Sequence, residues 1–231
     1  MSRPFPSILA ILGLAAVAAT FPVRLVAQQI TSPYEFVEER RAAGFFVGYV
    51  NADPGSAELG PQPGQIAGGR FTIRATGPLS VEAEVSVFST DRIVWAIDTL
   101  TNERVQRGEA ALSLLQLGGT LRFDITGPRT YHNFMPFVAG GGGLAFQLTD
   151  SDAISVTLPP AEQFRFGTTF AGHAGAGVEW FAFDRVTLRA DGRVLLYRMD
   201  TPAGFRSVDP SLPGREWAQN YLVSASVSYR F

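Results

Sequence analysis

Few residues of this chain could carry out acid–base or nucleophilic chemistry. The 231 residues include two histidines, His132 and His173, and no cysteine. A histidine can activate a serine for attack on an ester, as it does in many hydrolases. His132 falls in a short turn, and His173 has no serine two residues away on the same strand face. Glu179 shares that face but lies six residues further on, about 20 Å along a strand. We therefore predict no catalytic residue and no enzymatic activity, with His173 filling space.

Two further stretches resemble ligand-binding motifs but lack essential parts. The run "TDSDA" (149–153) offers two carboxylates at a spacing of two, without the following glycine and distant glutamate of a calcium loop. The run "AGGGGLAF" (139–146) is followed by no lysine, serine or threonine that would complete a phosphate loop. Its glycines are better explained by a tightly curved strand. We expect no metal site and no cofactor.

A larger set of charged side chains could pair with one another. Along the predicted strands they alternate with apolar residues, so they share one face. These residues are Arg70, Arg74, Glu82, Glu84, Arg122, Asp124, Glu179, Arg189, Asp191, Arg193 and Arg230. All 19 basic residues of the chain are arginine, and a guanidinium pairs well with carboxylates in a desolvated interior. The pattern predicts an interlocked arginine–carboxylate network, and the formal charge of −2 argues against nucleic-acid binding.

The element that carries such a face is clearest at the end of the chain. In "YLVSASVSYRF" (221–231), apolar and aromatic residues alternate with mostly small or polar ones. A period of two is that of a β-strand. The apolar face of such a strand lies in the core of a soluble barrel or faces lipid in a transmembrane barrel. The alternation alone leaves both possibilities open.

The N-terminal residues indicate export. Arg3 precedes the apolar run "PSILAILGLAAVAATFPV" (6–23), and small residues follow, a pattern typical of a secretory signal peptide. We place the signal peptide at 1–27, with cleavage after Ala18 or Ala19 and an uncleaved membrane anchor as alternatives. The next most apolar stretch, 134–148, contains four consecutive glycines and a proline, which disfavour a helix. The exported chain could therefore cross a bilayer only as a closed barrel.

Eight strands are predicted after the signal peptide, separated by glycine, proline and aspartate. Their approximate ranges are 43–51, 66–76, 80–90, 110–126, 133–148, 164–181, 185–198 and 218–231. Their connections alternate between long (52–65, 91–109, 149–163, 199–217) and short (77–79, 127–132, 182–184). Bacterial outer-membrane barrels have long outer loops and short periplasmic turns in this way. The fold class predicted is therefore all-β, an eight-stranded antiparallel up-and-down transmembrane β-barrel over 43–231.

Two segments outside these strands have their own predictions. Residues 91–109 are expected to form a hairpin that extends the third and fourth strands, with a short helix as the alternative. Residues 28–42 are expected to form a periplasmic lead-in to the barrel, in which a little helix could form.

Three stretches of sequence make the barrel prediction more specific. They are "SVSYRF" at the end of the chain, "MPFVAGGGGLAF" (135–146) and "GHAGAGVEWFAFDRVTLRADGRVLLYR" (172–198). On these residues the mature chain resembles the OmpA/OmpX-type family of eight-stranded outer-membrane barrels. The resemblance implies architecture and not a ligand. It also implies that Tyr229 and Phe231 form a signal that the barrel-insertion machinery reads.

The alternation assigns the lipid-facing residues on five strands. They are Val81, Ala83, Val85 and Val87; Leu117, Leu121, Phe123 and Ile125; Phe170, Ala174, Ala176, Val178 and Trp180; Val186, Leu188, Ala190, Val194 and Leu196; and Val223, Ala225, Val227, Tyr229 and Phe231. Aromatic girdles form at both membrane interfaces of such barrels. We expect Phe123, Trp180, Tyr229 and Phe231 at the periplasmic interface, and Tyr197, Trp217 and Tyr221 at the outer one. The registers of the first and fifth strands stay open.

These faces predict the class of function. The interior of an eight-stranded barrel is just wide enough to be filled by side chains, and buried charges must be paired. We expect a monomeric outer-membrane protein with a side-chain-filled charged lumen, four extracellular loops and a structural or surface-interaction role. Its partners would be outer-membrane lipid and lipopolysaccharide. The alternatives are a narrow or gated pore for small solutes, an enzyme that modifies lipid A or phospholipid, and a secreted soluble ligand-binding barrel.

Overall fold

The computed structural model describes residues 32–148 and 154–231, and these contain ten β-strands. The strands are β1 (Tyr34–Phe36), β2 (Arg41–Asn51), β3 (Gly64–Thr76), β4 (Leu79–Ile97), β5 (Arg104–Asp124), β6 (Arg129–Tyr131), β7 (Phe134–Gln147), β8 (Thr168–Trp180), β9 (Val186–Asp200) and β10 (Arg215–Arg230). One short α-helix, α1 (Ala203–Val208), precedes β10. No helix among the described residues is long and apolar enough to cross a membrane.

Eight of these strands close into a ring. Each long strand pairs antiparallel with its neighbour along the chain, from β2 to β10, and β10 pairs with β2 to complete the circle. In the closing pair, Val227 lies opposite Phe45, and Tyr229 lies opposite Ala43. The predicted eight-stranded antiparallel up-and-down barrel is therefore confirmed. Closure leaves no unpaired strand edge in the wall.

The connections lie alternately at the two ends of the barrel. The described residues of those predicted to be long, at 52–63, 98–103, 154–167 and 201–214, lie at one end, which we call the loop end. Only six residues remain in the second of them, because β4 and β5 extend into the predicted connection. The short ones lie at the other, the turn end, together with the start of β2 and the end of β10. Residues 149–153, where two carboxylates were noted in sequence, lie outside the described residues, as does the predicted signal peptide at 1–27.

The segment 91–109 forms the predicted hairpin and not the alternative helix. β4 and β5 continue to Ile97 and from Arg104, and the backbone N–H of Asp98 donates to the Glu103 carbonyl at 2.9 Å. The Asp98 carboxylate accepts the backbone N–H of Leu100 at 2.8 Å. This bond, with a second one from Thr101, lowers the pKa of Asp98, because both bonds favour the charged form.

The lead-in contains a strand that was not predicted. Among its described residues it contains no helix but the short strand β1, which pairs antiparallel with β6. β6 lies within the predicted short turn at 127–132, so that turn includes a strand. Its backbone groups are the hydrogen-bond partners of β1. β2 also begins at Arg41, inside the predicted lead-in, and β8 begins at Thr168, four residues later than predicted.

The barrel wall has an apolar outer face, as the alternation predicted. Phe45 on β2 is 76% exposed and Val223 on β10 is 69% exposed, although both are large and apolar. The structure also supplies the two registers that the sequence left open. On β2 the odd-numbered residues from Phe45 to Tyr49 point outward, and on β7 the buried Met135 and Phe137 point inward.

Candidate functional site

The interior of the barrel is the candidate site, and inward-facing glycines allow its wall to curve tightly. A Cβ on Gly143 would lie 1.9 Å from the Leu117 carbonyl oxygen, and one on Gly175 would lie 2.2 Å from that of Gly192. Neighbouring strands therefore approach too closely for any side chain at these positions. The resulting space is filled by long side chains from β3, β4, β5 and β9.

Glu82 on β4 is the centre of the charged interior and is 0% exposed. Its Oε1 accepts a hydrogen bond from Arg189 Nη1 at 2.6 Å. Arg122 Nη1 lies 3.6 Å from the same oxygen, and Arg70 Nε lies 3.7 Å from Oε2. One buried carboxylate thus faces three guanidinium groups, which come from β3, β5 and β9.

Two other carboxylates connect the arginines of β3 and β9. Asp191 accepts from Arg189 Nε at 2.9 Å and from Arg193 Nε at 2.7 Å. Glu84 accepts from Arg70 and from Arg193, each at 3.0 Å. The spacing of two along β9 places all three of its charged residues on the inner face. The result is a continuous network across the lumen.

On the opposite side of the lumen, Arg122 continues this network. Its Nε donates to Asp124 Oδ1 and its Nη2 pairs with Glu179 Oε2, both at 2.6 Å. The Phe137 ring contacts two guanidiniums, with Arg122 Cζ 4.3 Å and Arg189 Cζ 4.1 Å from its centroid. Cation–π attraction strengthens when the partners are desolvated, as they are here.

The structure brings nine of the eleven predicted charged residues into one network, which we call the charged half. The other two, Arg74 and Arg230, lie at the turn end and hold the lead-in. Arg74 Nη1 donates to the Val37 carbonyl at 3.0 Å, and Arg230 Nη1 pairs with Glu39 at 2.9 Å. Val37 is buried beneath the barrel. The lead-in thus covers the turn-end mouth of the lumen.

The loop-end half of the interior is apolar, and sequence analysis missed it. Side chains of the wall meet side chains of the folded loops there, and we call this cluster the apolar half. It comprises Phe46, Val50, Ala52, Ala57, Leu59, Ile66, Phe88, Leu112, Leu114, Ala145, Phe164, Phe166, Leu195, Tyr197, Met199, Phe205, Ala218 and Leu222. The inward-facing wall residues were predictable from the sequence, because Leu112 and Leu114 are on the same face of β5 as Arg122. The loop residue Phe205 carries no such signal. Phe164 and Phe166 were predicted at the start of a strand, but they lie in the loop before β8.

Tyr197 corrects one prediction. It was expected in the outer aromatic girdle, but it is 0% exposed and packs edge-on against Phe166 with centroids 5.7 Å apart. The physical reason is the period of two, which places Tyr197 on the same inward face as Arg193 and Leu195. The other girdle residues, Phe123, Trp180, Trp217, Tyr221, Tyr229 and Phe231, are exposed on the outer face.

The His173 side chain lies inside the barrel and is hydrogen-bonded to a threonine. Its Nε2 is 2.8 Å from the Thr120 hydroxyl. Both line the middle of the lumen, beside a cavity of about 30 Å³ that Ser86, Gln116 and His173 border, which is room for one water molecule. The arrangement is suited to filling space. Among the described residues, no group of histidine and acidic side chains could hold a metal ion.

The last residues of the chain secure the closing pair of strands at the turn end. The Phe231 backbone N–H donates to the Arg41 carbonyl at 3.0 Å, and its ring lies 6.3 Å from that of Phe71. Arg185 Nη1 donates to the Tyr229 hydroxyl at 3.1 Å. Both aromatic rings are on the outer face of the barrel.

Comparisons with known proteins find the architecture and no close relative. No family model and no curated protein matches the sequence. Among solved structures, Neisserial surface protein A is 14% identical with a TM-score of 0.51, over 87% of this chain and 98% of that one. Outer membrane protein OprG from Pseudomonas aeruginosa is 12% identical with a TM-score of 0.51, over 87% and 99%. At these identities the likeness is one of fold.

Proposed function

The chain has the fold of the eight-stranded transmembrane β-barrels that resemble it, and from this premise we propose that it is a bacterial outer-membrane protein with a structural and surface-interaction role. The observation that carries the proposal is the interior, in which a paired charged half and an apolar half occupy the lumen and leave a small cavity at its middle. The protein would present four loops outside the cell on a rigid wall. Its termini would lie in the periplasm.

Exposure of the wall supports the membrane location. The outer face carries Phe45, Leu121 and Val223, each more than 60% exposed. A bilayer removes that surface from water, whereas an aqueous compartment would leave it exposed along the whole wall. The charged network lies entirely on the other face, where an arginine avoids the cost of about 2–4 kcal/mol that it would incur facing lipid.

The packing of the loop end supports a closed barrel over the alternative of a pore. Phe205 of α1 is fully buried, and Arg104 Cζ lies 5.7 Å from its ring and 4.7 Å from that of Trp95. Glu162 accepts the backbone N–H of Ile97 at 3.0 Å. These contacts connect three of the four loop regions across the mouth. A solute path would require them to separate.

Location is tested by fractionating cells and running the outer-membrane fraction on SDS gels, unboiled and boiled. We expect the protein in that fraction, with faster migration unboiled, because a closed barrel resists SDS until it is heated. Recovery from the soluble periplasm with no mobility shift would overturn the membrane proposal and favour a soluble barrel.

The closed lumen is tested by conductance in planar bilayers. We expect no discrete current steps from the wild-type protein. The double variant Phe164→Ala with Phe205→Ala removes two loop side chains from the apolar half. It should also give no current steps, because the charged half still occupies the lumen. Wild-type current steps that change in Arg122→Ala would show that the interior conducts, and the pore would then replace the structural role.

A further inference from the structure

A cluster of arginines lies on the outer flank of the barrel at the loop end. It comprises Arg165 in the loop after β7, Arg198 on β9, Arg206 on α1 and Arg215 on β10, and we call it the flank cluster. All four are exposed. The structural network inside the lumen does not involve them.

The register of β9 and β10 places two of these arginines directly above the lipid-facing band. On their outward faces, Tyr221 lies opposite Val194, Gln219 opposite Leu196, Trp217 opposite Arg198, and Arg215 opposite Asp200. Arg198 is two residues beyond Leu196, which is about 7 Å along the strand. The wall thus changes from apolar to aromatic to cationic over a short height, as expected at the level of lipid headgroups.

The flank cluster carries an excess of positive charge. Arg215 Nε pairs with Asp200 Oδ1 at 2.7 Å, and both side chains are 63% exposed. The Arg206 guanidinium packs beside Gly214, the residue before Arg215, where a Cβ would lie 3.3 Å from its Nη1. Asp200 is the carboxylate that pairs with Arg215. A carboxylate in this setting cannot neutralise four arginines.

A cleft opens between this part of the wall and the loop after β7. It has a volume of about 350 Å³ and is lined by Gln163, Arg165, Asp200 and Thr201, with two prolines. Guanidinium and hydroxyl groups are the donors that proteins use for phosphate, and arginine binds it in a bidentate manner.

We infer that the flank cluster binds the phosphate groups of an anionic glycolipid in the outer leaflet, with Trp217 against its apolar part. The inference rests on the outer-membrane location proposed above and assigns that membrane contact to one side of the barrel. The excess positive charge favours a phosphate, and the position at the headgroup level favours that of a lipid over one in solution.

The test measures binding of diphosphorylated and dephosphorylated lipid A to detergent-folded protein by native mass spectrometry. The cluster variant carries Arg198→Gln, Arg206→Gln and Arg215→Gln. The matched control carries Arg40→Gln, Arg107→Gln and Arg129→Gln, which remove the same charge from exposed positions elsewhere. We expect the cluster variant to bind the diphosphorylated lipid about tenfold or more weakly, because the loss of even one of three charge-assisted contacts is worth about a factor of ten. The control should stay within about twofold of wild type.

Each outcome decides the inference. Equal weakening in both variants, or none in the cluster variant, would overturn the site. Full competition by millimolar inorganic pyrophosphate would show a general anion site and overturn the assignment to lipid. Folding of every variant is checked by heat-dependent gel mobility, and the single variants Arg198→Gln and Arg206→Gln replace the triple variant if it does not fold. Because location is measured by fractionation and binding in detergent, the proposed function and the lipid site can fail separately.

Discussion

The two halves of the interior fill the same barrel by opposite chemistry. In the charged half, each side chain has identified partners at fixed distances, such as Arg189 and Glu82 at 2.6 Å. In the apolar half, Phe88 and Leu114 are as fully buried, but they pack without directional bonds. Both halves exclude solvent. They differ in what stabilises the packing, which is charge pairing in the charged half and complementary shape in the apolar half.

This difference indicates which half of the interior is less tolerant of substitution. A buried charge needs its counter-charge, and loss of one partner leaves an unpaired ion in a low-dielectric interior. Apolar side chains need only suitable volume and shape, and swaps that conserve volume are tolerated. The charged half connects β3, β4, β5, β8 and β9, so it ties opposite walls of the barrel together. The apolar half joins the wall to loops.

The largest expected effect is that of Glu82→Gln, which keeps the size of the side chain but removes its charge. The three arginines that face Glu82 would then lack their shared counter-charge, and we expect a loss of about 3–5 kcal/mol in the free energy of unfolding. Urea unfolding in lipid vesicles, followed by tryptophan fluorescence, measures it. Glu103→Gln, at an exposed turn, is the control and should stay within about 0.5 kcal/mol. Equal losses in the free energy of unfolding for the two variants would show that the ion pairs of the charged half do not stabilise the fold.

A middle-sized effect is expected at the boundary between the halves, where the tetraglycine run crosses the wall. Gly143→Ala would place a Cβ 1.9 Å from the Leu117 carbonyl oxygen, so β5 and β7 must separate, at a cost of about 1–3 kcal/mol. Gly140 is the matched control, since its nearest neighbour would be 3.8 Å away. We expect Gly140→Ala to be neutral or to stabilise by up to about 1 kcal/mol. The same unfolding assay compares them, and similar losses in both would contradict the tight approach of these strands.

The smallest effect is expected for Leu114→Met in the apolar half. The substitution conserves volume and should cost less than about 1.5 kcal/mol, even though Leu114 is fully buried. Leu100→Met, at an exposed hairpin tip, provides the baseline. Comparison with Glu82→Gln tests whether two substitutions that conserve side-chain size change the free energy of unfolding unequally in the two halves. A loss as large as that of Glu82→Gln would remove the distinction between them.

Much of this architecture was predictable because strand alternation is a local property. The period of two gave the count of eight strands, the outer faces of five of them and the inward position of every residue in the charged half. The same rule, applied through to the loop end of β9, would have placed Tyr197 inside. The lead-in was less predictable, since β1 depends on a partner, β6, almost a hundred residues away in the chain.

On five of the eight strands, the sequence by itself determined which residues face outward, because that choice depends only on position along a strand. The tertiary structure alone decided which charges meet, such as Arg189 with Glu82 across the lumen, because pairing depends on how strands are staggered around the ring. It also decided that Phe164, Phe166 and Phe205 close the loop end. Loops have no periodicity, and the burial of their side chains is set by the cavity that the finished wall leaves for them.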